Sequence, residues 1–97
     1  MLYRKSEMYI FVAVVETGGF AAAARRLGLD ASTVSKTMAR IEDHLDVRLF
    51  NRNSRSLVPT EEGRTFLDGC RQALSAMQAA EASVMGRAHA EGGRLRV

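Results

Sequence analysis

The sequence has few side chains able to form disulfides or bind metals: one cysteine, Cys70, and two histidines, His44 and His89, among 97 residues. A single thiol cannot form an internal disulfide. The three side chains are also far apart in sequence and do not match the ligand spacing of a zinc site. We therefore expect no metal and no cofactor.

Long apolar runs are missing too. No stretch approaches the roughly 20 apolar residues that a membrane-spanning helix needs. The charged residues Arg4, Lys5 and Glu7 near the start do not fit a signal peptide. These features predict a cytoplasmic location and no membrane partner.

The sequence offers little for catalysis. Ser35, Asp43 and His44 lie close together, but at these separations along one helix they do not assemble a hydrolytic triad. No phosphate-binding loop and no metal-ligand spacing is present. We expect that the protein is not an enzyme.

The positive charge is concentrated in one third of the chain. Hydrophobic residues make up 46% and charged residues 26%, which is ordinary for a folded domain, and the net charge is +3. Residues 25–55 hold seven basic and four acidic side chains, whereas the segments on either side are balanced. A localised basic stretch in a chain with a pI near 9.6 is typical of nucleic-acid binding.

Two short helices are predicted first. Ser6 is the predicted N-cap of one that ends at Thr17, before a pair of glycines. Its apolar stripe is formed by Met8, Phe11, Val12 and Val15. The second, over residues 20–27, carries small alanines that allow another helix to approach closely, and Gly28 ends it.

The third helix, STVSKTMARIEDHLD over residues 32–46, has two distinct faces, and Asp30 is its predicted N-cap. One face is apolar and comprises Val34, Met38, Ile41 and Leu45. The opposite face comprises Thr33, Lys36, Thr37 and Arg40. Two short helices joined by a glycine-containing turn form a helix-turn-helix, whose second helix lies in the DNA major groove. An ordinary three-helix bundle with a solvated third helix is the alternative.

A hairpin is predicted in VRLFNRNSRSLVPT, with strands at Leu49-Phe50 and Leu57-Val58. Arg52 and Arg55 lie at or near its tip. As a wing, the hairpin would place both arginines beside the DNA backbone or in the minor groove. Alternatively, the arginines only keep an exposed hairpin soluble.

A last helix is predicted from Glu61 to about Ala90, with Thr60 as its N-cap. Its heptad-like seam comprises Phe66, Cys70, Ala73, Met77, Ala80 and Val84, broadened by Leu67 and Leu74. Because the helix is longer than a small domain can cover, the seam predicts a two-fold homodimer, with Cys70 acting as a small hydrophobe. A helix that simply projects is the alternative.

The sequence resembles the DNA-binding region of LysR-type transcriptional regulators in FVAVVETGGFAAAARRLGLDASTVSKTMARIEDHLDVRLFNR and LVPTEEGRTFL. The resemblance implies a mainly α fold, namely a winged helix-turn-helix with a three-helix core and a short β-hairpin, followed by a long dimerisation helix. It implies sequence-specific binding to two-fold-related promoter half-sites in double-stranded DNA. A helical dimerisation or protein-interaction module without specific DNA binding is the alternative function.

The predicted DNA contacts lie on the third helix and the hairpin. Ser32, Thr33 and Lys36 are placed to meet base edges. Ser35 matches a serine of the family pattern, and the resemblance implies that it contacts a phosphate. Thr37 and Arg40 continue along the same helix face. Arg52 and Arg55 are predicted to add salt-dependent affinity.

The predicted division is a DNA-binding domain over residues 1–60, a linker helix over 61–90, and a hinge over 91–97. The resemblance implies that GGRLRV opens an effector-binding domain that is absent here, so no small-molecule effector is expected to bind this chain. A homodimer is expected, with a tetramer as a further option for a full-length protein.

The sequence departs from the family pattern at four positions. Ala31 stands in place of a usual glutamine, which removes one specificity contact. Gly19 replaces a capping serine, and Asp46 replaces a glycine, at some conformational cost. Pro59 replaces a leucine. None of these departures is expected to remove the fold.

Overall fold

The computed structural model describes residues 4–52 and 57–92, with side-chain surroundings up to residue 86. The elements are α1 (Lys5–Thr17), α2 (Phe20–Leu27), α3 (Ala31–Leu45), β1 (Phe50–Asn51), β2 (Val58–Pro59) and α4 (Glu61–Gly92). This architecture confirms the predicted mainly α, winged helix-turn-helix fold with a long final helix. None of the helices in the described ranges is both long and apolar enough to span a membrane.

Phe11 of α1 lies at the centre of the hydrophobic core and is fully buried. Its ring centroid lies 5.5 Å from that of Phe50 in β1 and 5.0 Å from that of Phe66 in α4. Tilted and edge-on aromatic pairs of this kind add to the free energy gained from burial. One side chain therefore holds the first helix, the hairpin and the last helix together.

Each of the first three helices is followed by a residue in the left-handed backbone conformation. Gly18 and Gly28 have φ of 81° and 70°, as expected of glycines after a helix. Asp46 has φ of 56° and ends α3 in the same way. The prediction that aspartate adopts a conformation usually taken by glycine is thus confirmed at this position.

The predicted N-caps had mixed outcomes. Ser6 was the wrong residue, because α1 begins at Lys5 and the backbone N–H of Arg4 donates to the Glu7 carboxylate at 2.9 Å. Asp30 occupies the cap position of α3, but its side chain accepts no capping hydrogen bond. Thr60 is a true cap, since its hydroxyl accepts a hydrogen bond from the Gly63 N–H at 3.0 Å.

The hairpin is short and is tied to the rest of the chain at its base. Phe50 pairs with Pro59 and Asn51 pairs with Val58 in an antiparallel ladder. The Leu57 N–H donates to the Gly18 carbonyl at 3.1 Å, which links the hairpin to the α1–α2 turn. Residues 53–56, including the predicted DNA contact Arg55, lie outside the described residues.

The first half of α4 packs against α1 of the same chain, and the two helices run antiparallel. Lys5 forms an ion pair with Glu81 at 2.9 Å, and Arg71 forms one with Glu16 at 3.0 Å. Gln78 also donates to the Tyr9 hydroxyl at 2.9 Å. These contacts connect the start of α1 with residues near 80 and its end with residues near 70.

This packing corrects part of the predicted dimer seam. Leu67, Cys70 and Leu74 are buried within the chain itself, so they need no second copy to leave water. Burial raises the pKa of the Cys70 thiol to about 11, which keeps it protonated at neutral pH. The predicted seam included too many residues, because the same spacing also suits packing on a helix of the same chain.

The second half of α4 extends beyond α1. Ala73 and Met77 are half-buried, whereas Ala80 and Val84 are exposed, as is the neighbouring Met85. The helix continues to Gly92, so the first two residues of the predicted hinge are helical. The rest of that hinge, residues 93–97, falls outside the described ranges.

Gly63→Ala should destabilise the fold, because an added Cβ would overlap the Leu49 carbonyl oxygen and lie 3.2 Å from the Pro59 Cβ. Both of these neighbours are held by the hairpin base. We expect a loss of about 1–3 kcal/mol in the free energy of unfolding, measured by urea denaturation.

Gly69→Ala is the matched control on the same helix, where an added Cβ meets nothing within 4 Å. It should leave stability unchanged or raise it by up to about 1 kcal/mol. Equal effects of the two substitutions would contradict the close approach of Gly63 to Leu49.

Glu16→Gln should reduce stability at neutral pH but not in acid. The Glu16 carboxylate accepts hydrogen bonds from Arg26 at 2.6 Å and Arg71 at 3.0 Å, and these contacts lower its pKa below the ordinary 4.5. A lowered pKa gives stability that is present above the unfolded-state value and is lost as pH falls through the folded-state value.

The melting temperatures of wild type and Glu16→Gln should therefore differ at pH 7 and converge as pH falls below about 4.5. Asp68→Asn is the control, because Asp68 is exposed on α4 and pairs with none of the described residues. A Glu16→Gln difference that persists unchanged in acid would contradict an ionic role.

Candidate nucleic-acid interface

The orientation of α3 determines which of its side chains reach the surface. Val34 and Met38 are 0% exposed and Ile41 is 1% exposed, so the predicted apolar face is confirmed as the packed one. On the opposite side, the predicted base-contacting residues Ser32, Thr33 and Lys36 are exposed, and so is Ser35. The helix thus presents hydroxyls and one lysine ammonium to solvent.

The remaining two predicted residues of this face also make contacts within the chain. The Thr37 hydroxyl donates to the Thr33 carbonyl at 2.9 Å, which holds it close to the helix backbone. The Arg40 guanidinium pairs with Glu7 of α1, while 41% of its side chain stays exposed. Arg40 therefore has both a structural partner and access to solvent.

Arg52 makes two contacts within the protein that the sequence did not predict. Its guanidinium donates to Glu42 at 3.0 Å and lies 5.9 Å from the centroid of the Phe20 ring, a cation–π distance. Its side chain is 30% exposed. The two roles predicted for Arg52 were binding to a phosphate and keeping the hairpin soluble. Neither role accounts for these contacts.

Glu42 is the functional candidate that sequence reasoning missed. Only 8% of the surface of Glu42 is exposed. One carboxylate oxygen accepts the hydrogen bond from Arg52, and the other accepts one from the backbone N–H of Leu49 at 2.7 Å. Glu42 lies four residues after Met38 and is therefore on the buried side of α3. That spacing could have identified Glu42 from the sequence, because a carboxylate on the apolar face of a helix needs a hydrogen-bonding or charged partner.

Ion pairs reduce the number of available cations in the basic stretch. Arg26, Arg40 and Arg52 each pair with a glutamate elsewhere in the fold. Lys36 and Arg48 are exposed and form no ion pair with any residue in the described ranges, and the same holds for Arg25. These three side chains are the ones best able to attract an anionic partner.

A cleft of about 470 Å³ separates α3 from the segment that leads into the hairpin. Ser35 and Ala39 line one side, and Arg48 and Arg52 line the other. Glu42 lies at the junction of the two sides. In the parts of the chain that the structure describes, no group of three or more His, Cys, Asp or Glu side chains could hold a metal ion.

Comparison with known proteins agrees with this geometry. The family model described as "Bacterial regulatory helix-turn-helix protein, lysR family" matches residues 6–64. The chain is 45% identical over 75 residues to the HTH-type transcriptional activator AaeR of Escherichia coli K12, and the match covers 77% of this chain and 24% of AaeR.

Solved structures give a similar result. A crystal structure of the BenM DBD in complex with catB site 1 DNA has a TM-score of 0.84 at 28% identity and covers 89% of this chain and 97% of that one. The CbnR DBD–DNA complex has a TM-score of 0.82 at 29% identity, covering 89% of this chain and 99% of that one.

The chain spans only about a quarter to a third of the length of the curated relatives it matches. The shared region includes the three helices, the hairpin and the first residues of α4. Because the family model covers more than half of the chain and the fold agrees, this chain belongs to the LysR family of bacterial regulatory helix-turn-helix proteins.

Proposed function

We propose that this chain binds a specific sequence in double-stranded DNA through the outward face of α3. The observation that carries the proposal is the exposure of Thr33 and Lys36 on the part of the helix that faces away from its buried stripe. A helix of this kind fits the major groove, where base pairs present distinct patterns of donors and acceptors. The DNA-bound BenM and CbnR domains, which have the same fold, support the proposal.

The contacts divide into base-reading and phosphate-binding sets. Ser32, Thr33 and Lys36, near the start of α3, meet base edges. Ser35, Thr37 and Arg40 contact the adjacent backbone, and Arg55 adds a contact predicted from the sequence alone. Arg48, which sequence analysis did not select, joins the phosphate set because it is exposed and unpaired among the described residues.

The bound form is a homodimer on two half-sites related by two-fold symmetry. The apolar side chains of Val84 and Met85 are 69% and 58% exposed on the part of α4 that extends beyond α1. With the half-buried Ala73 and Met77, they form an apolar strip available to a second copy. A tetramer stays an option for a full-length protein and is not assigned to this segment.

The rival function is a helical interaction module that does not bind DNA. It explains the apolar strip on α4 but gives no role to the lysine and hydroxyls exposed on α3. We favour regulation of transcription in the bacterial cytoplasm without enzymatic activity, in line with relatives named as transcriptional regulators. Residues 1–60 act as the DNA-binding unit and residues 61–90 as the linker helix.

Lys36→Ala should weaken binding to a duplex selected from a random DNA library. Loss of a lysine contact to a base edge costs about 1–3 kcal/mol for the correct base. Fluorescence anisotropy with the selected site and with single-base variants should show lower affinity and relaxed selectivity at one position in each half-site.

Lys5→Ala is the matched control, since it removes the same charge from α1, where Lys5 pairs with Glu81 of α4. It should bind the selected duplex like the wild type. If Lys36→Ala also binds every site like the wild type, Lys36 does not read bases.

Met77→Glu should dissociate the dimer, because it places a charge in the apolar strip of α4. Light scattering should report the mass of one chain instead of two. Ala79→Glu introduces the same charge on the opposite, exposed side of α4 and should leave the dimer mass unchanged. An unchanged mass for Met77→Glu would show that the strip is not the dimer interface.

A further inference from the structure

We infer that Glu42 and Arg52 are positioning residues that fix the hairpin relative to α3, so that Arg52 strengthens DNA binding without contacting DNA. The inference rests on the proposed function. The sequence predicted that Arg52 binds a phosphate. The inference instead gives Arg52 a role in contacts within the protein. The geometry of one carboxylate carries it.

The Glu42 carboxylate contacts the chain on both sides of β1. One oxygen accepts the N–H of Leu49, the residue just before the strand, at 2.7 Å. The other accepts the guanidinium of Arg52, the residue just after the strand, at 3.0 Å. Because Glu42 belongs to α3, these two hydrogen bonds fix the strand to the helix that carries the proposed base contacts.

Arg52 has a second partner that restricts it further. Its guanidinium carbon lies 5.9 Å from the centroid of the Phe20 ring, and Phe20 is the first residue of α2. The planar guanidinium is thus placed against an aromatic ring as well as a carboxylate, an arrangement that lysine reproduces poorly. Arg52 consequently connects the hairpin to both helices of the helix-turn-helix.

Using Arg52 to bind a phosphate would disrupt this arrangement. The Glu42 side chain is only 9% exposed, and removing its cation would leave a buried negative charge without its partner. The exposed Arg48 lines the same cleft and has no ion pair among the described residues, so it can meet a phosphate without that cost. The two arginines therefore have different roles.

The consequence for DNA binding follows from the cleft between α3 and the hairpin segment. Ser35 lies on the α3 side of it, Arg48 and Arg52 lie on the hairpin side, and Glu42, where the sides meet, accepts a hydrogen bond from Arg52. Binding sites need their groups held within about 0.5 Å of the productive geometry. Glu42 and Arg52 set the spacing between two surfaces that contact the same duplex.

The test is a double-mutant cycle with Arg52→Gln, Glu42→Gln and the double variant, titrated with the selected duplex over a range of salt concentrations. Each single variant should lose about tenfold in affinity, and the double variant should be no weaker than the weaker single variant. The slope of log affinity against log salt should equal that of the wild type. Arg48→Gln, which removes a nearby cation that pairs with none of the described residues, calibrates how far charge alone changes the slope.

Two results would overturn the inference. One is a slope for Arg52→Gln that falls by about 0.9, the amount for one lost phosphate contact on duplex DNA. The other is additive losses, or no loss, in the cycle. If circular dichroism shows that Glu42→Gln does not fold, the salt slope of the Arg52→Gln variant tests the inference by itself, since Arg52 is partly exposed.

A measurement without DNA separates this inference from the proposed function. The Leu49 amide should exchange its hydrogen faster in Arg52→Gln and Glu42→Gln than in the wild type, because both variants loosen the hairpin base. Unchanged exchange would overturn the positioning role. If the wild type binds no duplex but the variants show faster exchange, the proposed function fails while the positioning role stands.

Discussion

The rotation of α3 about its own axis is the constraint on which the rest of the molecule depends. Burial of large apolar side chains is worth about 1.5–3 kcal/mol each, and α3 buries Val34, Met38 and Ile41 almost completely. A half-turn of the helix would expose all three and bury the Lys36 ammonium. The same packing that forms the core therefore determines which side chains face solvent, and the position of the proposed DNA-reading face follows from it.

Ion pairs with glutamates connect the elements around this core and separate structural cations from available ones. Glu7 pairs with Arg40, Glu16 with Arg26 and Arg71, and Glu42 with Arg52. The exposed pairs of Glu16 contribute little stability singly. Each of the four pairs, however, joins different parts of the fold. Among the cations that form no ion pair with the described residues, Lys36 lies on α3, Arg48 lies just after its end, and Arg25 lies on α2. A modest net charge can therefore still give a localised attractive surface.

Local patterns in the sequence predicted most of the fold. Helix boundaries at Thr17 and Leu27 follow from the glycines after them, and the buried face of α3 follows from its spacing. Contacts between distant residues could not be predicted in this way. The seam on α4 gave no sign that Phe66 would pack on Phe11 of α1 in the same chain, since one apolar stripe suits either partner. The pairing of Arg52 with Glu42 likewise depends on where the hairpin returns.

The proposal that the outward face of α3 meets DNA is tested most directly by NMR of the ¹⁵N-labelled chain with and without the selected duplex. The account predicts that the largest amide shift changes fall on residues 31–40 and near Arg48, with little change where α1 packs on α4. Tight binding with shift changes confined to α4, and none on α3, would contradict it.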